Sequence, residues 1–245
     1  MPKESIVVGT GRLQVWDLPL RLFHWSLVAA IAIALLSAEE DSALNQWHVM
    51  AGWIAGILVV FRLAWGFVGG EHSRFVSFVR PSALSRHVGE LVRGRSEPTV
   101  GHNALGALSV LLLLLLVAAT VWTGITLAED LHELLGWTLL GLVAIHVVAV
   151  VLMSLLTREN LVGAMITGAK PAARHPDRQD ARRPGLLGLL VSILVIAGAA
   201  YAVLVYDPLA FTPRSAESYE HRADAAGGEG ATDGEAPEGG REDDD

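Results

Sequence analysis

Five long apolar blocks dominate this 245-residue sequence and limit what it can fold into. A helix needs about 20 mostly apolar residues to cross a hydrocarbon core of about 30 Å. The segments of this kind are Leu22–Ala38, Trp47–Val68, Ala104–Ala128, Leu134–Leu156 and Leu186–Tyr206. Only 18% of the residues are charged, against about 25% in soluble domains. The sequence therefore predicts an all-α membrane protein, with a four-helix transmembrane bundle and a fifth C-terminal transmembrane helix.

The first apolar block is short, but Pro19 suits the start of a helix, so this helix can begin before Leu22. A cleavable signal peptide is the alternative. Against it, Arg21, His24 and Trp25 precede the apolar run, and the acidic cluster 39–41 stands where a small-residue cleavage site would be. We therefore expect the first block to remain as a membrane span.

The connections rich in lysine and arginine all lie on one side of the predicted bundle, and the other two loops, 39–46 and 129–133, have none. The basic residues precede span one (Lys3, Arg12, Arg21), separate spans two and three (Arg74, Arg80, Arg86, Arg93, Arg95) and follow span four (Arg158, Lys170, Arg174, Arg178, Arg182, Arg183). Short basic loops stay in the cytoplasm. We therefore expect a bacterial cytoplasmic (inner) membrane protein with a cytoplasmic N-terminus and a periplasmic C-terminal tail.

The formal net charge of −8 is concentrated in the C-terminal tail. Residues 207–245 hold 12 acidic and 3 basic residues, whereas residues 1–206 hold 14 acidic and 15 basic residues. The tail is rich in Gly, Glu, Asp and Pro, and we expect it to be disordered. The predicted division is a four-helix body at 1–169, a basic cytoplasmic linker at 170–184, a fifth span at 185–206 and an acidic periplasmic tail at 207–245.

The chain has no cysteine. This excludes disulfides, thiolate zinc sites, iron–sulfur ligation and covalent attachment of a c-type haem. Neither a nucleophile arrangement nor a phosphate-binding loop stands out, so the sequence indicates no catalytic residues, and we expect no nucleic-acid partner.

The nine histidines fall into two groups. Four lie in predicted loops or in the tail, where we expect solvated surface roles: His72, His87, His175 and His221. The other five lie inside or at the rim of a span: His24, His48, His102, His132 and His146. Ionisable residues at membrane depth are costly and usually face the bundle interior or a functional site.

Depth sorts the second group into pairs. His132 and His146 are fourteen residues apart, close to four helical turns, so they project from one face of span four about 21 Å apart. His48 shares the outer level with His132, and His24 shares the inner level with His146. Two imidazoles from facing helices can hold a b-type haem. A lone histidine in such a place can instead form an interhelical hydrogen bond, and His102 can replace His146 as the partner of His24.

Arg62 lies near the inner end of span two, level with the inner pair. A buried guanidinium needs an anionic partner, and a haem carboxylate would supply one to Arg62 or Arg21. The alternative for Arg62 is that it reaches the lipid headgroups. Glycines such as Gly52 and Gly136 either permit close helix approach or leave room for a flat macrocycle.

Several motifs give the chain a specific resemblance. Span one has Val15-Trp16-Asp17 and Leu18-Pro19-Leu20-Arg21-Leu22-Phe23-His24-Trp25; span two has Trp47-His48-Val49-Met50-Ala51-Gly52-Trp53 and Phe61-Arg62-Leu63-Ala64-Trp65-Gly66. Span three opens with Gly101-His102-Asn103, and span four has Leu131-His132-Glu133 and Ala144-Ile145-His146. Over roughly residues 10–170, the chain resembles the bacterial cytochrome b561 and nickel–iron hydrogenase b-subunit family of membrane di-haem cytochromes.

The resemblance implies two b-type haems with His24, His48, His132 and His146 as iron ligands. It also implies that the span-three histidine, His102 in this sequence, is not a ligand. The fifth helix and the acidic tail lie outside the resemblance.

The leading functional hypothesis is transmembrane electron transfer between a quinone pool and a redox partner such as a periplasmic c-type cytochrome, with quinone oxidoreductase activity as the enzymatic form of it. The acidic tail would attract a basic carrier. One alternative is a membrane anchor subunit for a hydrogenase or another dehydrogenase. A superoxide-oxidising cytochrome is another. A histidine-using metal transporter or a scaffold is the non-redox alternative and predicts no haem absorption.

Overall fold

The computed structural model describes residues 11–39, 41–78, 101, 104–175, 178–215 and 218. Within these ranges, five helices are long and apolar enough to cross a membrane. They are α1 (Leu18–Leu36), α2 (His48–Val68), α3 (Ala104–Ile125), α4 (Glu129–Thr157) and α5 (Leu186–Tyr206). The predicted fold class, an all-α multi-pass membrane protein with a fifth C-terminal helix, is confirmed.

Two helices start four or five residues before their sequence-based bounds, for local reasons. Helix α1 begins at Leu18 rather than Leu22, because the Asp17 side chain caps it by accepting a hydrogen bond from the Leu20 amide and Pro19 fits the first turn. Helix α4 begins at Glu129 rather than Leu134, since acidic residues in a first turn are stabilised by the helix dipole. Polar first turns carry no hydropathy signal, so an apolar pattern misses them.

Helix α2 lies at the centre of the bundle and packs against α1, α3 and α5, while α4 packs mainly against α3. Two glycines permit close approaches between α2 and its neighbours. A Cβ atom at Gly56 would lie 3.2 Å from Val121 of α3, and one at Gly188 of α5 would lie 2.6 Å from the carbonyl oxygen of Val68. The fifth helix is thus docked on the four-helix body rather than separate from it.

We call the membrane side on which α1, α3 and α5 begin the basic side, and the other side the far side. On the basic side, strand β1 (Arg12–Gln14) pairs antiparallel with β2 (Ala169–Pro171), with Leu13 opposite Lys170. Two short helices cover Phe75–Phe78 and Leu161–Thr167, and a 3₁₀ turn covers Ala172–Arg174. A second 3₁₀ turn, Asn45–Trp47, precedes α2 on the far side. This small sheet was not predicted, because three-residue strands are too short to show a period-2 pattern.

The predicted linker is bound to the basic side of the body. The Gln14 amide donates to Asp180 Oδ1 (2.8 Å), and the Ala181 amide donates to the Gln14 carbonyl (2.9 Å). Further along, the Arg182 amide donates to Glu71 Oε2 (3.0 Å), and the Glu71 amide donates to the Arg182 carbonyl (3.2 Å). The linker therefore joins the start of the chain to the end of α2.

The prediction of a solvated His175 is wrong. Its Nε2 lies 2.9 Å from Glu159 Oε1, and the other carboxylate oxygen lies 3.1 Å from Lys170 Nζ. All three side chains are buried beneath the small sheet. Other expectations lie outside the described residues: those for His87, His102 and His221, and for nearly all of the acidic tail after Ser215.

Candidate functional site between the helices

Two histidines face each other across the far side of the bundle. His48 is the first residue of α2, and His132 lies in the first turn of α4. Their imidazole ring centroids are 5.8 Å apart, and the ring planes are nearly perpendicular, at 79°. The turns before the two helices thus bring together the pair that depth alone had matched.

Backbone carbonyls hold both rings in one orientation. His48 Nδ1 lies 2.9 Å from the carbonyl oxygen of Ala34 in α1, and His132 Nδ1 lies 2.9 Å from the carbonyl oxygen of Thr120 in α3. A carbonyl oxygen can only accept, so each Nδ1 carries the proton and each Nε2 keeps its lone pair. This is the arrangement of a metal-binding histidine, whose second nitrogen donates to a carbonyl or carboxylate.

An open cleft with a cavity volume of about 130 Å³ adjoins the pair. Its walls include His48, Gly52, Trp53, Gly124 and His132. A Cβ atom at Gly52 would meet nothing within 4 Å, whereas one at Gly124 would lie 3.1 Å from His132 Cε1. Gly52 therefore leaves space in the cleft, and Gly124 leaves space for the His132 ring.

The geometry fits a macrocyclic iron cofactor. A metal–imidazole bond is about 2 Å long, so two rings on opposite sides of one metal atom have centroids about 6 Å apart. Within the described residues, no three His, Cys, Asp or Glu side chains converge on one point. Two imidazoles alone do not complete the coordination of an ordinary cation site, but they do complete that of a haem, whose ring supplies the other ligands.

A second pair lies nearer the basic side. His24 of α1 and His146 of α4 are close enough to interact electrostatically. His146 Nδ1 lies 3.0 Å from the Ser109 hydroxyl of α3, and the His24 ring stands edge-on to Trp25 at 5.3 Å. A hydroxyl both donates and accepts, so the contact with Ser109 leaves the tautomer of His146 open.

Arg62 is buried inside the protein. It is 1% exposed, and its Cζ lies 4.6 Å from the centre of the Phe75 ring. In the described part of the chain, neither Nη1 nor Nη2 of Arg62 has a hydrogen-bond partner. A buried guanidinium with two vacant donors is suited to an anionic group such as a haem carboxylate. Arg21, by contrast, uses its Nη2 to donate to the Ile166 carbonyl.

The role of Asp17 was not predicted from the sequence. Its carboxylate caps α1 and also accepts hydrogen bonds from Trp65 Nε1 (3.0 Å), the Gly70 amide (3.2 Å) and the Ser73 hydroxyl. It also interacts electrostatically with Arg62. An aspartate just before a helix start marks a cap, but nothing in the sequence indicates the three long-range contacts.

Two titratable groups in the loop after α2 have shifted pKa values. The backbone hydrogen bond from Arg182 is the main cause of a lowered pKa for the Glu71 carboxyl. Burial is the main cause of a lowered pKa for the His72 imidazole, whose ring stands edge-on to Trp16. The basic side therefore places the contact between Glu71 and the linker directly beside the neutral imidazole of His72.

The fold and the site define a multi-pass membrane helix bundle with histidines paired between its helices. The chain belongs to the prokaryotic cytochrome b561 family, whose sequence model matches residues 15–168. It is thus a haem-b membrane protein of electron transport. The matched region includes α1 to α4 and ends before α5.

Similar curated proteins are each named a probable Ni/Fe-hydrogenase B-type cytochrome subunit. That of Bradyrhizobium diazoefficiens is 23% identical over 216 residues, covering 66% of this chain and 87% of the relative. That of Azotobacter vinelandii is 25% identical over 227 residues, covering 68% and 95%. That of Rhizobium leguminosarum bv. viciae is 23% identical over 221 residues, covering 68% and 90%. No solved structure gives a significant match.

Proposed function

We propose that this protein carries electrons across the membrane by means of two b-type haems, one held by His48 and His132 and the other by His24 and His146. The observation that carries the proposal is the opposed far-side pair, with ring centroids 5.8 Å apart and both Nδ1 atoms bound to backbone carbonyls. When bound, haem iron supplies one-electron chemistry. The chain supplies the ligands, their tautomers and the surrounding charge.

The residues of the two sites have different tasks. The carbonyls of Ala34 and Thr120 fix the tautomer of the far-side imidazoles, with the proton on Nδ1 and the lone pair on Nε2. Ser109 holds the ring of His146 on the other side. Arg62, with two donors vacant among the described residues, would bind a carboxylate of the basic-side cofactor, and Arg21 at the start of α1 is the second candidate for that contact.

Haem counting tests the ligand assignment. Pyridine haemochrome quantification of detergent-purified protein should give two b haems per chain, and one haem in His48→Ala, His132→Ala, His24→Ala or His146→Ala. The matched control is His221→Ala in the tail, which should keep two haems. A variant of either pair that keeps two bis-histidine haems by spectrum would remove that residue from the assignment, and a wild-type chain without haem would overturn the function.

The proposed orientation follows from the basic connections: the basic side faces the cytoplasm of a bacterial inner membrane and the far side faces the periplasm. Electrons would then pass between the quinone pool and a periplasmic redox partner. Added quinol should reduce both haems in the purified protein. Protease added to intact spheroplasts should remove the C-terminal tail and leave the N-terminus intact, whereas removal of the N-terminus instead would reverse the orientation.

The acidic tail supports a basic soluble carrier, such as a c-type cytochrome, as the periplasmic partner. Helix α5 ends at the far side of the bundle. There the Arg214 amide donates to the carbonyl of Gln46 (2.7 Å), two residues before His48. The acidic residues that follow Ser215 are therefore attached beside the far-side pair. Deleting residues 216–245 should slow association with a basic c-type cytochrome and weaken its salt dependence. An unchanged rate in a variant with two haems would exclude steering by the tail.

A second candidate function is that of a membrane anchor for a hydrogenase or another dehydrogenase. It is favoured by the names of the relatives. The matches cover 87% of the Bradyrhizobium diazoefficiens protein and 95% of the Azotobacter vinelandii protein. Purification from native membranes in mild detergent tests it. A catalytic hydrogenase or dehydrogenase subunit recovered in one-to-one ratio would support the anchor role, whereas a chain that elutes alone and reacts with a c-type cytochrome would support the first candidate.

A further inference from the structure

The C-terminal end of α5 folds back onto the wall of the far-side cleft. Asp207, the residue that ends this helix, is 4% exposed and accepts a hydrogen bond from Trp53 Nε1 at 2.9 Å. The neighbouring Tyr206 ring stands edge-on to Trp53 at 5.8 Å. Trp53 is a wall residue of the cleft between His48 and His132. A helix outside the family match therefore contacts the candidate cofactor site.

Arg214 closes this arrangement from the other direction. Its guanidinium forms an ion pair with the Asp207 carboxylate, and both side chains are buried. Its backbone amide donates to the carbonyl of Gln46, which lies within the 3₁₀ turn that precedes His48. One buried ion pair thus connects the end of α5 both to the wall of the cleft and to the start of α2.

Stability alone is a weak reason for such a pair. Removing two charges from water offsets most of their attraction, and apolar replacements of buried ion pairs are often as stable. A charge in surroundings of low dielectric acts over a longer distance than one in water. The potential of a haem depends on nearby charge and burial. A balanced pair one indole away from the cleft is placed to affect that potential.

We propose that Asp207 and Arg214 are positioning residues of the far-side site: they fix Trp53 and the turn before His48, and their charge balance sets the redox potential of the haem in this cleft. The proposal rests on the proposed function. Loss of the carboxylate leaves a net positive charge, which favours the reduced haem. Loss of the guanidinium leaves a net negative charge, which favours the oxidised haem.

Opposite charge changes give a test that a merely structural role would fail. In a spectroscopic redox titration, Asp207→Asn should raise the potential of the far-side haem and Arg214→Gln should lower it. At a fixed ambient potential we expect the ferric-to-ferrous ratio to change on the order of tenfold in each case, which is about 59 mV for a one-electron couple. The double variant Asp207→Asn/Arg214→Gln should return close to the wild-type potential. The redox potential of the other haem should not change.

Two controls separate charge from packing. Arg214→Lys keeps the charge and should keep the wild-type potential. Glu71→Gln removes one carboxylate on the basic side, where Glu71 binds the linker, and should leave the far-side haem unchanged. His48→Ala, which removes the far-side haem under the proposed assignment, identifies which spectral component belongs to it.

Haem content distinguishes a failure of the proposed function from a failure of the proposed role of Asp207 and Arg214. A wild-type chain without two haems would overturn the proposed function. A chain that binds two haems, and in which Asp207→Asn and Arg214→Gln shift the far-side potential in the same direction or not at all, would overturn this inference and leave the function intact. If Asp207→Asn loses the far-side haem, the test uses the potentials of Arg214→Gln and of the double variant. A far-side potential that is not lowered in Arg214→Gln, or not restored in the double variant, would then overturn the inference.

Discussion

The indole nitrogen of Trp65 donates a 3.0 Å hydrogen bond to Oδ1 of Asp17, and so ties the end of α2 to the beginning of α1. Trp65 is completely buried, and its ring stacks on Phe61, which contacts Phe23 of α1. The other carboxylate oxygen of Asp17 accepts from the loop after α2. One side chain therefore fixes the ends of the two helices that carry His24, His48 and Arg62.

Replacing Asp17 should destabilise the protein strongly. Asp17→Ala removes a helix cap, worth about 1 kcal/mol, and hydrogen bonds to a charged acceptor, worth roughly 1.5–3 kcal/mol for a single bond. Because such terms do not add fully, we expect a loss of about 2–4 kcal/mol. Unfolding in detergent micelles, followed by circular dichroism, measures it. Asp41→Ala at an exposed position is the control; equal stability of the two variants would contradict the role of Asp17.

Filling the space at Gly52 should exclude the far-side haem without unfolding the helices. A Cβ atom there meets nothing within 4 Å, and the position lines the cleft. A larger side chain would occupy the cleft, whereas the helix itself gains up to about 1 kcal/mol when a glycine is replaced. We expect one haem per chain in Gly52→Leu, measured as pyridine haemochrome.

Gly198 on α5 is the matched control for Gly52, since a Cβ atom there also meets nothing within 4 Å and Gly198 is not among the cleft-lining residues. Gly198→Leu should keep two haems. Two haems in Gly52→Leu would show that the cleft is not the cofactor site.

The fold class and the pairing of the histidines follow from signals that sequence carries well. Apolar blocks specify spans because lipid demands them, and a spacing of fourteen residues places His132 and His146 on one helix face. The structure brings His48 to His132 and His24 to the neighbourhood of His146, while their role as ligands stays a prediction.

The rest depends on long-range contacts that no local pattern encodes. Asp17 and Trp65 are separated by 48 positions, and Asp207 and Trp53 by 154. Burial of His175 likewise requires Glu159 and Lys170 to meet it beneath a sheet of three-residue strands. A basic loop residue looks solvated in sequence, because its partner is visible only after the chain has folded.

The carboxylate of Glu159 should be essential to the basic-side fold. It faces Lys170 Nζ and His175 Nε2 in a buried cluster. Breaking a buried ion pair by removing one partner costs about 3–5 kcal/mol. Glu159→Gln should lose stability of that order in thermal unfolding, and the double variant Glu159→Gln/Lys170→Met should recover most of it, because no buried ammonium then lacks the carboxylate. A double variant no more stable than the single one would contradict a charge-based role.

Stability should fall on mild acidification because of His72. Burial lowers the pKa of its imidazole below the ordinary value of 6.5; Glu71 opposes this shift, while Arg178 and Lys170 reinforce it. As pH falls below about 6.5 the unfolded chain binds a proton before the folded one does, so stability drops until the pH passes the lowered pKa and is then constant. We expect the thermal midpoint in detergent to decrease between pH 7.5 and 5.5, and His72→Gln to reduce that slope.

A second substitution checks the sign for His72. Glu71→Gln removes the carboxylate that raises the pKa of His72, so the folded imidazole should become still harder to protonate and the acid-induced loss should extend to lower pH. His221→Gln, outside the described residues, serves as the control and should follow the wild-type curve. Parallel curves for wild type, His72→Gln and Glu71→Gln would show that another group governs the acid sensitivity.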